Sequence, residues 1–155
     1  MSSAFRDRGG LWVVAQFALI GAVAATAALA PGWGGARPAR FVIGGTMLAA
    51  AVAVGLAAAR ALGTALTPYP HPRPGAQLTR RGPYRLVRHP MYSAVILLAA
   101  AMALLGSAWA FVPTAALAVV LDTKAQREER WLARTHPDYA EWCQTTRRRF
   151  FPGIR

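Results

Sequence analysis

A chain of 155 residues has room for one domain, and this one is 55% hydrophobic, 15% charged and formally +12, a combination foreign to soluble globular proteins. A soluble nucleic-acid binder would explain the basicity but not the long unbroken apolar blocks, so the cations read as membrane-surface charge and nucleic acid is not an expected partner. Cys143 is the single cysteine, which excludes an intrachain disulfide and a cysteine-based zinc site within one chain.

Residues 11–30 carry no charge and, at 1.5 Å per residue, are long enough for roughly 30 Å of hydrocarbon. They are predicted to form a first transmembrane helix. Arg6 and Arg8 before the run and Ala28-Leu29-Ala30 at its end also resemble a secretory signal, but the run exceeds the ~7–15 residues of a signal core. Residues 31–38 make a Gly- and Pro-rich connection, with Trp33 suited to the lipid–water interface. Residues 41–59 form a second uncharged span. In it Gly45, Ala49 and Ala53 recur every fourth position and predict a face for close helix packing, as do Gly21 and Ala25 on the first span; alanine-rich coding alone is the other explanation.

Arg60 is expected to end the second span. The loop 60–90 then alternates Pro68, Pro70, Pro72 and Pro74 with Tyr69, His71 and Arg73, which excludes a regular helix and predicts an extended polar crossing; a proline-rich recognition motif is the rival reading. Residues 91–121 are again uncharged but are interrupted by Gly106, Ser107 and Pro113. One helix of that length would measure roughly 46 Å, well beyond the bilayer core. A helical hairpin turning near 106–108 fits better, with arms 91–106 and 108–123. Each arm covers only about 22 Å and needs helical extension into its charged flank to complete a crossing.

Charge asymmetry supports four spans. Six arginines and lysines lie between Arg60 and His89 and eight from Asp122 onward, against two in the first connection and none at the hairpin turn. The positive-inside rule then makes the second connection, the tail 124–155 and both termini cytoplasmic. The expected location is a bacterial inner membrane. After residue 121 the sequence keeps helical propensity. Pro137 suits the first turn of a further short helix with Thr135 or His136 near its cap, and Tyr139 and Trp142 share one face of it. The end of the chain, Arg147-Arg148-Arg149-Phe150-Phe151, reads as an interfacial anchor.

Chemistry gathers at one membrane edge. Gly82-Pro83-Tyr84-Arg85-Leu86-Val87-Arg88-His89-Pro90-Met91-Tyr92 sets cations, a histidine and tyrosines against the start of an apolar segment, where ionisable groups are a functional-site hypothesis by default. Glu128 and Glu129 are two of only six acidic residues. They can pair with Arg85 or Arg88, hold the ammonium or ribose hydroxyls of a cationic cofactor, or simply be solvated on an amphipathic helix. His89 reads equally as an interfacial hydrogen-bonding residue. No metal site is expected, because His71, His89 and His136 show no ligand spacing. No glycine-rich phosphate loop follows a strand, and Ser93 and Ser107 have no neighbouring base.

The ordered pattern of residues 82–92, a helical hairpin, Glu128-Glu129, Tyr139 and Arg149-Phe150-Phe151-Pro152 resembles the isoprenylcysteine carboxyl methyltransferase family and its phospholipid N-methyltransferase relatives. The resemblance covers residues 77–152; the first two spans match only as generic membrane helices. It implies a single all-α integral membrane methyltransferase domain over residues 1–155. The implied cofactor is S-adenosyl-L-methionine, bound at the cytoplasmic end of the hairpin, and the implied acceptor is lipophilic and enters from the bilayer among membrane lipids. Carried over by residue, the resemblance gives the cofactor Ala76, Gln77, Leu78, Thr79, Gly82, Tyr84, His89, Pro90, Met91, Tyr92 and Glu129. It gives catalysis to Glu128 or Glu129, and to Arg127 as the nearest arginine before the acidic pair, although Lys124 competes for that position. The implied reaction is O-methylation of a carboxylate, with N-methylation of an aminolipid, S-methylation of a small thiol and a non-catalytic membrane subunit as alternatives.

Overall fold

The computed structural model describes residues 5, 8–35, 37–71, 75 and 77–153. Arg6, Pro72, Arg73, Pro74, Ala76 and Arg155 lie outside them. All regular structure among the described residues is helical. In chain order it comprises α1 (Gly10–Leu29), α2 (Pro38–Leu62), α3 (Pro90–Leu105), α4 (Phe111–Thr135) and α5 (Tyr139–Thr145), with single 3-10 turns at Gly63–Ala65, Gly82–Arg85 and Ala108–Ala110. Pro38 and Pro90 each open a helix at a position whose amide would have no intrahelical partner, so the missing N–H costs nothing there.

Three of these helices are long and apolar enough to cross a membrane: Gly10–Leu29, Pro38–Ala65 and Ala108–Thr135. The apolar α3 has 16 residues, about 24 Å of helix. The hairpin turn falls where the sequence predicts it, at Gly106, Ser107 and the following 3-10 turn. The predicted extension into charged sequence occurs in α4, which runs unbroken to Thr135. It does not occur in α3, because Pro90 stops the helix from continuing backward and His89 has already left helical geometry. Arg60 does not end the second span either, since α2 continues to Leu62 and a 3-10 turn carries it to Ala65. Large apolar side chains such as Leu11, Val14, Phe41, Val42 and Val52 point outward, as a lipid-facing surface requires and a water-facing one does not.

The short helix α3 touches each of the three long helices. Its longest contact is with α2, while α1 lies along α4. Val23 of α1, Ala99 of α3, and Leu117 and Leu121 of α4 form the shared core. The close α2–α3 approach uses small residues, but on a different face from the predicted one. Gly44, Ala51 and Ala58 are buried, and a Cβ at Gly44 would come 2.8 Å from a methyl of Leu105. Gly45, Ala49 and Ala53 are exposed, as are Gly21 and Ala25 on α1. At roughly 100° per residue, Gly44, Ala51 and Ala58 share one narrow stripe and the 45–49–53 series runs round the opposite side.

At the end of the bundle away from the cationic cluster, the first connection and the hairpin turn interlock. Ser107 Oγ donates to the Pro31 carbonyl at 2.7 Å, Trp33 Nε1 donates to the Ala103 carbonyl at 3.0 Å, and Gly106 sits so close to Ala27 that a Cβ would strike its backbone carbonyl. These contacts fix the antiparallel hairpin, so the starts of α1 and α3, the end of α2 and the polar half of α4 converge at the other end.

Candidate active site

That convergence encloses a cavity of about 450 Å³, within the size range of small-molecule sites, ~300–1,000 Å³. One side is apolar, with Phe17 of α1, Leu62 and Leu66 at the end of α2, and Val95 of α3. The other carries Tyr84, His89, Tyr92, Lys124, Glu128 and Trp142. The stretch Gln77-Leu78-Thr79 crosses its edge without helical structure, which leaves peptide groups free to bond a ligand.

The segment 82–92 is folded to present its aromatic groups inward. Gly82 takes φ of +58°, a left-handed conformation that a side chain would strain, and opens the 3-10 turn that buries Tyr84. Tyr84 packs with Ala58, Ala61, Tyr139 and Trp142, so α5 is held against the end of α2; Tyr139 and Trp142 meet edge to face at 5.7 Å. Burial, with the Glu128 carboxylate nearby, pushes the Tyr84 phenol well above its usual range, and it therefore faces the cavity as a neutral hydrogen-bonding group. α5 begins at Tyr139 with Asp138 at its cap, later than the expected cap at Thr135 or His136. Thr135 still belongs to α4.

The two adjacent glutamates do different things. Glu128 lies on the cavity wall and accepts a 2.8 Å hydrogen bond from the Tyr92 hydroxyl, while His89 stacks on the Tyr92 ring with centroids 5.3 Å apart and planes within 3°. Glu129 points behind the wall, where its carboxylate is 2.9 Å from Arg88 Nε, 3.1 Å from His89 Nε2 and 3.1 Å from Arg149. Arg149 also bonds Asp122 at 2.7 Å. Burial works against its charge, but the two carboxylates outweigh that and raise its pKa above the ordinary guanidinium value. Arg88 rather than the exposed Arg85 thus pairs with the acidic residues.

This cluster docks the tail. The amides of Arg88 and His89 donate to the carbonyls of Arg148 and Arg149, each at 2.9 Å, a two-bond ladder between the start of α3 and the segment after α5. Ser93 Oγ donates to the Phe150 carbonyl. Arg88 Nη1 donates to the carbonyls of Thr146 and Arg147 at 3.1 and 3.0 Å. The basic, aromatic end that sequence alone reads as a membrane anchor is therefore bound to the protein through residue 150.

Of the residues singled out from sequence, Gln77, Leu78, Thr79, Tyr84, His89, Met91, Tyr92 and Glu128 line the cavity. Gly82 and Pro90 shape the backbone around it, and Glu129 supports it from behind. Ala76 lies outside the described residues. Arg127 is not brought to the wall: its guanidinium lies over the Trp131 ring at 5.0 Å, and its Nε makes no hydrogen bond among the described residues. The cations on the wall are Arg88, which is held by Glu129, and Lys124, which donates to Gln16 Oε1 of α1. Sequence reasoning passed over Gln16, yet it is the one side-chain amide in the first apolar run, a polar residue at membrane depth that calls for a partner.

Fold and site together define an integral membrane protein with a ligand-sized, partly charged cavity at one end of its helices. A family model described as phospholipid methyltransferase matches residues 39–138, and the chain belongs to that family of membrane methyltransferases, which includes enzymes like isoprenylcysteine carboxyl methyltransferase. The match spans α2 to the cap of α5 and leaves out α1 and the docked tail. No curated protein and no solved structure compared with the chain gives a match.

Proposed function

We propose that the chain transfers a methyl group from S-adenosylmethionine to a lipophilic acceptor, and that the acceptor atom is a carboxylate oxygen. The observation that carries this reading is the composition of the cavity: one apolar side formed by membrane helices, and one polar side on which Glu128 and Lys124 present opposite charges. The residues present suit the cofactor. Glu128 is a carboxylate matched to a cationic ligand, Tyr84 and Trp142 offer aromatic surface, and the 77–79 peptide groups offer donors and acceptors. When bound, S-adenosylmethionine supplies an electrophilic methyl on a positively charged sulfur.

The chain's own contribution is alignment and exclusion of water. Tyr92 orients the Glu128 carboxylate, the docked tail holds His89 against Tyr92, and Phe17, Leu62 and Val95 offer an apolar bed for a hydrocarbon chain. A carboxylate acceptor needs no general base, so no wall residue has to take a proton. The basic loop and tail lie at the same end as the cavity, which by the positive-inside rule supports a cytoplasmic site with both termini on that side.

One observation favours a second reading. Glu128 is a carboxylate on the wall and would serve as base for N-methylation of an aminolipid. Incubation of the purified protein with methyl-labelled S-adenosylmethionine and a native lipid extract separates the two. A methyl ester releases labelled methanol in alkali; a methylated amine retains its label. If no lipid is labelled and S-adenosylhomocysteine gives no saturable binding, the chain is a non-catalytic member of its family.

A further inference from the structure

Lys124 is the most deeply buried Lys, Arg, Asp or Glu side chain among the described residues. It lies where α4 turns polar, two residues after Asp122, is 1% exposed, and nevertheless borders the cavity. A lysine buried so fully is expensive unless its charge is matched. Its ammonium donates to Gln16 Oε1 and stands over the Tyr92 ring, 5.1 Å from the centroid. A lysine ammonium has three N–H donors and no acceptor. Gln16 must therefore turn its oxygen toward Lys124, which leaves its NH2 group to donate elsewhere, and that NH2 makes no hydrogen bond to the described residues. Gln16 is 8% exposed and also borders the cavity. Two side chains from different helices thus bring unspent donors to one wall, next to Phe17 and Val95 on the apolar side.

If the pair existed only to tie α1 to α4, neither member would need to face the cavity; Val23 and Leu117 already do that work one layer deeper. Glu128, one turn further along α4, attracts the Lys124 ammonium, while its carboxylate takes its hydrogen bond from Tyr92, so the N–H donors of Lys124 stay available.

We propose that Gln16 is a positioning residue that holds the Lys124 ammonium at the cavity wall, and that the pair recognises an oxyanion on the acceptor, a carboxylate or a phosphate oxygen, while its hydrocarbon chain lies along Phe17 and Val95. The proposal rests on the methyltransferase reading for the word acceptor, but the binding it describes does not need the cofactor. It also gives α1, which lies outside the matched family segment, a part in acceptor choice.

The test uses the full chain in phosphatidylcholine nanodiscs, titrated with dodecanoate, dodecyl phosphate or dodecanol, three amphiphiles of equal chain length. Binding is followed by thermal shift, and S-adenosylhomocysteine binding is measured on every variant. The wild type should bind one or both anions at least tenfold more tightly than the alcohol; which anion wins identifies carboxylate or phosphate as the source. Lys124→Met and Gln16→Leu should each lose about tenfold or more of that preference, the loss expected for a hydrogen bond to a charged group, while Lys124→Arg retains most of it. S-adenosylhomocysteine affinity should stay unchanged in Gln16→Leu. In turnover with the best anion, Gln16→Leu should raise KM and leave kcat near wild type, a split that a general loss of structure would not give. Equal binding of dodecanol and both anions by the wild type overturns the proposal, as does an undiminished preference in Gln16→Leu when Lys124→Met fails to fold. Absence of S-adenosylhomocysteine binding with the anion preference intact would instead remove the methyltransferase reading and leave the anion site standing.

Discussion

Glu129→Gln should loosen the tail without emptying the cavity. In the native protein the Glu129 carboxylate receives Arg88, His89 and Arg149 within 3.2 Å, and its side chain is 16% exposed. A glutamine of the same shape keeps one acceptor oxygen but loses the charge and half of the fork offered to Arg149. Breaking a fully buried pair costs about 3–5 kcal/mol. Here the loss is smaller, because Arg149 keeps Asp122 and Arg88 keeps the carbonyls of Thr146 and Arg147. A local cost of about 2 kcal/mol follows from one or two charge-assisted hydrogen bonds. The amides of Arg88 and His89, which donate to the carbonyls of Arg148 and Arg149, report directly on tail docking. At 1.4 kcal/mol per factor of ten, their hydrogen exchange should quicken about 30-fold. Glu128→Gln, one residue earlier, should leave that exchange unaltered and weaken S-adenosylhomocysteine binding instead. Native-like protection of both amides in Glu129→Gln would refute the assignment of Glu129 as the clamp, and accelerated exchange in Glu128→Gln would refute the division between the two glutamates.

Three further outcomes are expected. Gly44→Val should lower stability by about 1–3 kcal/mol through overpacking against Leu105, while Gly45→Val, whose Cβ meets nothing within 4 Å, should unfold at nearly the wild-type temperature; the reverse order would put the α2 contact on the other face. Ser107→Ala removes the bond to the Pro31 carbonyl and should cost about 1 kcal/mol, visible as a lower thermal midpoint with S-adenosylhomocysteine affinity intact. His89→Ala removes the ring stacked on Tyr92. Such aromatic pairs contribute about 0.5–1.5 kcal/mol, so a roughly two- to tenfold loss of S-adenosylhomocysteine affinity is expected, and unchanged affinity would return His89 to the role of an interfacial hydrogen-bonding residue.

How much of this was legible in the sequence depends on whether a one-dimensional signal existed. Span existence was legible, because uncharged runs are absolute features, and the hairpin followed from the excess length of residues 91–121 together with the interruption at Gly106 and Ser107. The meeting of residues 82–92 with the acidic pair followed from the hairpin and the charge map. Helix rotation was not legible. In α2, glycine and alanine occupy both the packed stripe at 44, 51 and 58 and the exposed series at 45, 49 and 53, so period alone selects neither. The contact is settled by what α3 presents, Leu105 against Gly44 and Ala94 against Gly55.

The roles of Glu128 and Glu129 were hidden for a related reason. Adjacent helical residues diverge by roughly 100°, so one of the pair had to face away from the cavity, but the residue that decides which one is Arg149, twenty positions on and beyond a second helix. A run of arginines and phenylalanines at a chain's end carries the same signature whether it meets lipid headgroups or two carboxylates. What distinguishes the cases is that Glu129 and Asp122 sit on one face of α4, seven residues and so about two turns apart, and both carboxylates bond the one guanidinium of Arg149. Gln16 was the converse case, a signal present and passed over. One amide in an otherwise apolar span demands a partner at its own depth, and by the antiparallel order of the helices α4 supplies few polar residues there besides Lys124. That pairing makes acceptor recognition a property of α1 and α4 jointly, while the cofactor side belongs to the loop, the start of α3 and the tail.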